Sequence, residues 1–245
     1  YEGLFANLVV PTAETTRQKF LIDVHRATKK GMLFVGNAGT GKTVILKDYF
    51  TDANIDTTVC ATLNFNNYTD SKTLQNVLEG NVDKRTGRIF GPPTGKILIF
   101  FMDDMNMPML DKYGTQPPIC LIRQIIDYQL VFDREHLEEK KELHDIMFIG
   151  CMNPKSGSFI IDLRLTRHFT MIALGVPERE ILATIYEQVL SNHLSNWDHT
   201  FKGWDNRIVN ATMDVFNIIA KDARFMPTAR KFHYQFNLRD FSKII

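Results

Sequence analysis

One octapeptide limits what this chain can fold into more than any other feature. Gly36-Asn37-Ala38-Gly39-Thr40-Gly41-Lys42-Thr43 matches G-x-x-x-x-G-K-[ST] in full, and it follows directly on the apolar run Met32-Leu33-Phe34-Val35. Behind it, Ile45, Leu46, Tyr49 and Phe50 mark one face of a helix. A strand, a glycine-rich loop and a helix in that order build a phosphate cradle. The glycines permit torsions that turn successive backbone N–H groups inward, and the helix N-terminus adds partial positive charge. Lys42 is then placed to reach the β- and γ-phosphates of a nucleotide, and Thr43 to offer its hydroxyl to Mg²⁺. Gly36 through Thr43 are therefore candidate nucleotide-binding residues.

The rest of the chain agrees with a parallel sheet. Short apolar runs bounded by turn residues predict strands over Met32 to Val35, Thr58 to Leu63, Ile97 to Met102, Ile146 to Cys151 and Phe169 to Leu174. They are continuously apolar rather than alternating, as suits strands covered by helices on both faces. After Val176-Pro177 no further strand is expected. Ile181, Leu182, Ile185 and Val189 fall on one helical face, as do Val209, Met213, Phe216 and Ile219, so residues 1–175 read as an α/β subdomain and 176–245 as a helical one. The charge run Asp133 to Glu142, after a helix expected to end near Leu130, reads as a solvated helix or loop. Lys84 to Lys96, rich in Gly and Pro, reads as a surface hairpin.

A second motif supplies the acid that a phosphate cradle lacks. Ile97-Leu98-Ile99-Phe100-Phe101-Met102 ends in Asp103-Asp104, a buried strand delivering two carboxylates at its exposed end, where α/β sheets bind ligands. Asp103 is expected to hold the magnesium, partly through water, and Asp104 to polarise the attacking water. The strand Ile146 to Cys151 ends at Asn153-Pro154. Asn-Pro is a common turn dipeptide. If that strand lies between those of the phosphate loop and Asp103, however, Asn153 emerges beside the γ-phosphate and can orient the water.

Composition excludes several alternatives. With 29 Lys and Arg against 28 Asp and Glu the formal net charge is +1, which gives no electrostatic footprint for nucleic acid or an anionic membrane. No apolar run approaches the roughly 18 residues of a membrane span. Cys60, Cys120 and Cys151 are too few and too scattered for a disulfide framework, which points to a reducing compartment. The histidines show no metal-ligand spacing with them. The chain opens at Tyr1 without Met, as expected of a module within something longer.

With these motifs in order the sequence resembles an AAA+ ATPase, and more closely a module of a dynein heavy chain. The likeness is carried by Phe101-Met102-Asp103-Asp104-Met105-Asn106-Met107-Pro108, by Asp111-Lys112-Tyr113-Gly114-Thr115-Gln116-Pro117-Pro118, and by Lys231-Phe232-His233-Tyr234-Gln235-Phe236-Asn237-Leu238-Arg239-Asp240. Together they are most similar to the third AAA+ module of an axonemal dynein. That resemblance implies a five-stranded parallel sheet in the order 5-1-4-3-2 with a C-terminal helical lid, ATP or ADP with Mg²⁺ as cofactors, and a place in the cytoplasm on the ciliary or flagellar axoneme of the cytoskeleton. It implies adjacent AAA+ modules of the same chain as partners, with dynein intermediate and light chains and microtubules reached through the whole motor. Arg239 matches the sensor arginine at the start of a lid helix, with Asn237 and Asp240 placed as its capping pair. Arg167, or alternatively Arg164, matches the arginine finger that acts on a neighbouring module. Leu8-Val9-Val10-Pro11-Thr12 resembles the loop that packs Val10 and Pro11 on adenine, with Thr12 placed to cap the next helix. Hydrolysing members usually carry Glu where this chain has Asp104. The resemblance thus implies slow hydrolysis, or a module that holds nucleotide for structural purposes; a homohexameric remodelling ATPase is a further alternative.

Overall fold

The structure is a computed structural model that describes residues 9–154, 160–195, 197, 201, 203–234 and 236–245. The chain forms two compact units. The larger comprises residues 17–37 and 41–174; the smaller takes in residues 38–40 with the described residues before 17 and from 175 onward. In chain order the elements up to residue 174 are α1 (Ala13–Thr28, which begins in the smaller unit), β1 (Gly31–Gly36), α2 (Lys42–Asp52), β2 (Thr58–Asn64), α3 (Ser71–Glu79), β3 (Asp83–Thr86), β4 (Ile89–Gly91), β5 (Ile97–Asp103), α4 (Pro117–Tyr128), β6 (Leu130–Phe132), β7 (Lys140–Leu143), β8 (Ile146–Met152), α5 (Leu163–Thr166) and β9 (Phe169–Leu174).

The main sheet has the order β2-β5-β8-β1-β9, and every pairing in it is parallel. These are the five strands expected from the apolar runs, each within a residue or so of its expected ends, in the order 5-1-4-3-2. Successive side chains of a strand point to opposite faces, and both faces are buried. Leu98, Phe100 and Met102 of β5 share one core with Leu74, Leu78 and Ile122 of α3 and α4, whereas Ile99 and Phe101 share another with Ile22, Leu46 and Tyr49 of α1 and α2. Each such side chain contributes about 1.5–3 kcal/mol by leaving water. That two-sided burial is why the inner strands β1, β5 and β8 read as unbroken apolar runs.

A second sheet was not expected. β3, β4, β7 and β6 pair in that order, with β4 and β7 parallel and the outer pairings antiparallel. The expected hairpin within Lys84 to Lys96 is present as β3 and β4. The reading of Asp133 to Glu142 as a solvated helix or loop is corrected, because its end is the strand β7. The helix expected to run to Leu130 stops at Tyr128, with Gln129 at φ 55 as its left-handed C-cap, and Leu130 opens β6. Asp133 accepts from the backbone N–H groups of Glu135 and His136. Lys141 sits 2.7 Å from both Asp133 and Glu79. Its ammonium, with those two N–H donors, holds the Asp133 carboxyl well below the usual carboxylate range.

In the smaller unit α6 (Arg179–Leu194), α7 (Trp204–Lys221) and α8 (Leu238–Ser242) close on Phe241, which is 1% exposed. Phe241 meets Tyr186 edge-on at 4.7 Å between ring centroids and Phe216 at 5.8 Å. The expected α7 face is seen, with Val209 and Met213 buried and Phe216 packed on them. The core face of α6 is Leu182, Ala183, Tyr186 and Leu190, about one residue on from the expected face of Ile181, Leu182, Ile185 and Val189, with Leu182 common to both.

Between β7 and β8 the chain turns at Asp145, whose φ is 60. Its carbonyl accepts from the N–H of Leu98 on β5, and its carboxylate pairs with Lys29 and Arg85. The bond from Lys29, with help from Arg85 and against the effect of burial, holds the carboxyl below its ordinary value. The folded carboxyl is thus more acidic than the unfolded one. Its stabilisation is complete above the unfolded value of about 3.9 and is lost as pH falls through the lower folded value. Asp145→Asn is expected to lower the unfolding free energy at pH 7 by about 1–2 kcal/mol and to flatten the acid-side loss, as read by urea unfolding across a pH series.

Candidate functional site

The octapeptide lies where its pattern requires. β1 ends at Gly36, α2 starts at Lys42, and the turn between them uses left-handed torsions at Gly39 (φ 83) and Gly41 (φ 86). Gly41 is the N-cap of α2 and, being glycine, supplies no side-chain cap; a helix N-terminus that follows a glycine-rich turn suits an anion. Lys42 is 8% exposed, and its Nζ donates to the carbonyls of Gly36 and Asn37, each at 2.8 Å. An ammonium held over the loop by its own carbonyls is a fixed positive charge at the strand end, with three protons to distribute.

Beside it stand the two acids. Asp103 is the last residue of β5. Its Oδ2 accepts from the Thr43 hydroxyl at 2.8 Å and its Oδ1 from the N–H of Asp104 at 3.1 Å, so both carboxylate oxygens are oriented. A hydroxyl and a carboxylate in contact are hard oxygen donors of the kind Mg²⁺ takes, with water and phosphate oxygens completing its shell. Among the described residues no group of three or more His, Cys, Asp or Glu that could hold a metal gathers. Asp104 is exposed and has φ 52. Asn153 directly follows β8, which lies between β1 and β5, the condition under which it was expected to reach the site.

The other candidates are described within their own units. In the smaller unit Val10 is 6% exposed and Pro11 is exposed ahead of α1. The Thr12 hydroxyl accepts from the Thr15 N–H at 3.2 Å, and the Thr15 hydroxyl from the Thr12 N–H at 2.8 Å. Arg239 is exposed on α8, whose capping box joins Asn237 and Asp240 in both directions. In the larger unit Arg167 lies 3.5 Å from Asp127 and donates to the ring of His168 at 3.2 Å. Arg164 and Arg167 line an open groove of about 790 Å³ together with Arg123 and Arg134.

A family model described as the P-loop containing dynein motor region matches residues 2–177, and one described as an AAA+ lid domain matches residues 208–245. The ciliary dynein beta chain of Tripneustes gratilla is 44% identical over 239 residues, covering 97% of this chain and 5% of that one. Human dynein axonemal heavy chain 17 is 43% identical over 238 residues, and the flagellar outer arm dynein beta chain of Chlamydomonas reinhardtii 39% over 242; they cover 96% and 99% of this chain and 5% of each relative. The chain belongs to the dynein motor AAA+ family. It spans about one twentieth of the length of these dynein heavy chains.

Three residues in and around the turn after Asp104 carry contacts that the sequence did not assign. Asn106, 5% exposed, donates from Nδ2 to the Asn153 carbonyl at 2.8 Å. Gln116, 4% exposed, donates to the Pro108 carbonyl at 2.7 Å. Gly150 faces Met105 across the core. Amides in a loop otherwise rich in Met and Pro were the available signal, since a buried amide is kept only when it is bonded.

Behind the acids Cys151 is fully buried. Burial, and then the charge of Asp103, push its thiol up despite the opposing Lys42. Cys60 is pushed up to about 11, chiefly by burial, while Cys120 is exposed. The thiolate is the reactive form. Iodoacetamide at pH 8 is therefore expected to alkylate Cys120 and spare Cys60 and Cys151 in the folded protein, as read by peptide mass spectrometry.

Proposed function

We propose that the chain is the third AAA+ module of an axonemal dynein heavy chain, binding ATP or ADP with Mg²⁺, hydrolysing ATP slowly and regulating the motor cycle through its nucleotide state. The single observation that supports this best is the 2.8 Å contact of Thr43 with Asp103. It joins the helix end of the phosphate loop to the acid of the neighbouring strand, which is the protein half of a magnesium nucleotide site. The bound metal would neutralise charge on the phosphates. The chain's own residues do the rest: Gly36 through Thr43 hold the phosphates by backbone N–H groups, and Lys42 reaches the β- and γ-phosphates.

Asp104 and Asn153 position the attacking water. In this reading Val10 and Pro11 pack on adenine, Arg239 senses the γ-phosphate for the lid formed by residues 176–245, and Arg167 acts as finger on the neighbouring module's nucleotide. The partners are the adjacent AAA+ modules, with intermediate and light chains and microtubules engaged through the whole motor on the axoneme. In this reading neither nucleic acid nor membrane is a partner, in keeping with a formal net charge of +1. One feature favours a second reading, a module that holds ADP and stiffens the ring. The carboxylate of Asp104 is one methylene shorter than that of a glutamate, and a misplacement of about 1 Å can cost on the order of a hundredfold in rate.

Single-turnover hydrolysis on the full heavy chain separates the two. Asp104→Asn is expected to slow hydrolysis at this site by at least about tenfold, since general base or water-positioning groups contribute roughly 10²–10⁴, with nucleotide still bound. Unchanged hydrolysis in that variant, with tightly retained ADP, would favour the structural reading.

A further inference from the structure

We infer that Asn106 is a positioning residue for hydrolysis, a buried amide that ties the Asp103-Asp104 turn to the Asn153 turn so that the two water-positioning groups move as one. The inference rests on the roles proposed above for Asp104 and Asn153. Its physical basis is a strap between the ends of β5 and β8. After Asp104 the chain does not run out into solvent. Met105, fully buried, donates its N–H to the Cys151 carbonyl at 3.0 Å, and Asn106 donates from Nδ2 to the Asn153 carbonyl at 2.8 Å. The N–H of Met107 closes the turn on the Asp104 carbonyl at 3.0 Å. Beyond it the Gln116 amide holds the Pro108 carbonyl.

Met105 fits because β8 has a gap for it. A Cβ built on Gly150 would lie 2.0 Å from the Met105 sulfur and 2.9 Å from Cδ1 of Leu33. The Met105 side chain thus occupies the place that a side chain at Gly150 would need. The two contacts differ in kind. The Met105 packing fixes how closely the strap approaches β8, while the Asn106 bond fixes where the Asn153 backbone sits relative to Asp104. A hydrogen bond from a 5% exposed amide does not exchange readily with water, because an unsatisfied buried amide is costly. Asn106 gives this donor to a main-chain carbonyl, the contact through which it positions Asn153 relative to Asp104.

The test uses the full-length heavy chain with Asn106→Leu, Asn106→Asp and Gly150→Ala. Photo-crosslinking with 8-azido-ATP labelled at the α-phosphate reads two quantities on the recovered peptide of this module. The concentration dependence of labelling gives affinity, and the ADP to ATP ratio after a single turnover gives hydrolysis. Both Asn106 variants keep the size of the side chain and lose the donor. They are expected to slow hydrolysis by at least about tenfold, the order of effect of an ångström-scale misplacement, with affinity unchanged within about twofold. Gly150→Ala, acting from the opposite side of the strap, is expected to do the same. Hydrolysis at the wild-type rate in the Asn106 variants, while Asp104→Asn is impaired, would overturn the inference and leave the function standing. Loss of labelling in step with hydrolysis would also overturn it, by showing a merely structural role. A wild-type site that never converts ATP would remove the hydrolytic function itself, and the positioning role with it.

Discussion

The pairing of β5 with β8 is the constraint on which the rest of the larger unit depends. Both strands are parallel, adjacent and buried on two faces. Their register sets Phe101 opposite Ile149 and Met102 opposite Gly150, so Asp103 and Asn153 leave the sheet at neighbouring points of the same edge. A slip of one residue would turn every apolar side chain of a strand to the other face. Here that would interleave the Leu98, Phe100, Met102 set with the wrong helices. Two different cores thus enforce one register, and the register places the chemistry. The carboxylate of Asp103 is then trimmed by local donors, the Thr43 hydroxyl and the Asp104 N–H, which decide its rotation and not its position.

What the sequence made legible follows from that distinction. The inner strands β1, β5 and β8 are buried on both faces and leave apolar runs that no solvent-facing residue interrupts, whereas the edge strands β2 and β9 are partly exposed and were located by their apolar residues between turn signals. The phosphate loop was legible because its glycines answer a backbone requirement, met at Gly39 and Gly41 by positive φ. The second sheet was not legible for the converse reason. Its strand β7 reads Lys-Lys-Glu-Leu, and Lys141 is held there by Asp133 and Glu79, one close in sequence and one far from it. A charged residue fixed by a remote partner carries no periodicity. The core face of α6 was missed by about one residue because its apolar residues ring the helix broadly. What selects among them is Phe241, roughly fifty residues later, whose ring Tyr186 meets edge-on.

The strap after Asp104 shows how the same limit applies inside the site. Asp103 and Asp104 announce themselves as acids at a strand end. Asn106 and Gly150 do not, because their meaning lies in a contact between segments more than forty residues apart. A glycine in a buried strand weakens it unless something else fills the space; Met105 fills it, and only the folded sheet shows that the two belong together.

The same geometry bears on why an aspartate stands at position 104. Its φ of 52 is a left-handed torsion, which costs roughly 1–2 kcal/mol for most residues and which Asp and Asn tolerate better because their short polar chains bond locally. The carbonyl of Asp104 closes the turn on Met107 and its N–H is spent on Asp103, so the backbone here is not free to relax into another region. A glutamate would gain about 1.5 Å of reach and lose part of that conformational tolerance. The reach is worth more where it corrects a real misplacement, since on the order of a hundredfold in rate is nearly 3 kcal/mol against a strain of about 1. The strain is worth more where the turn already delivers the carboxylate to its place. A short acid on a left-handed turn, its N–H bonded to Asp103 and its carbonyl to Met107, meets the torsional demand and gives up the reach. The residue at 104 is then a compromise between arm length and the torsion of the turn that carries it.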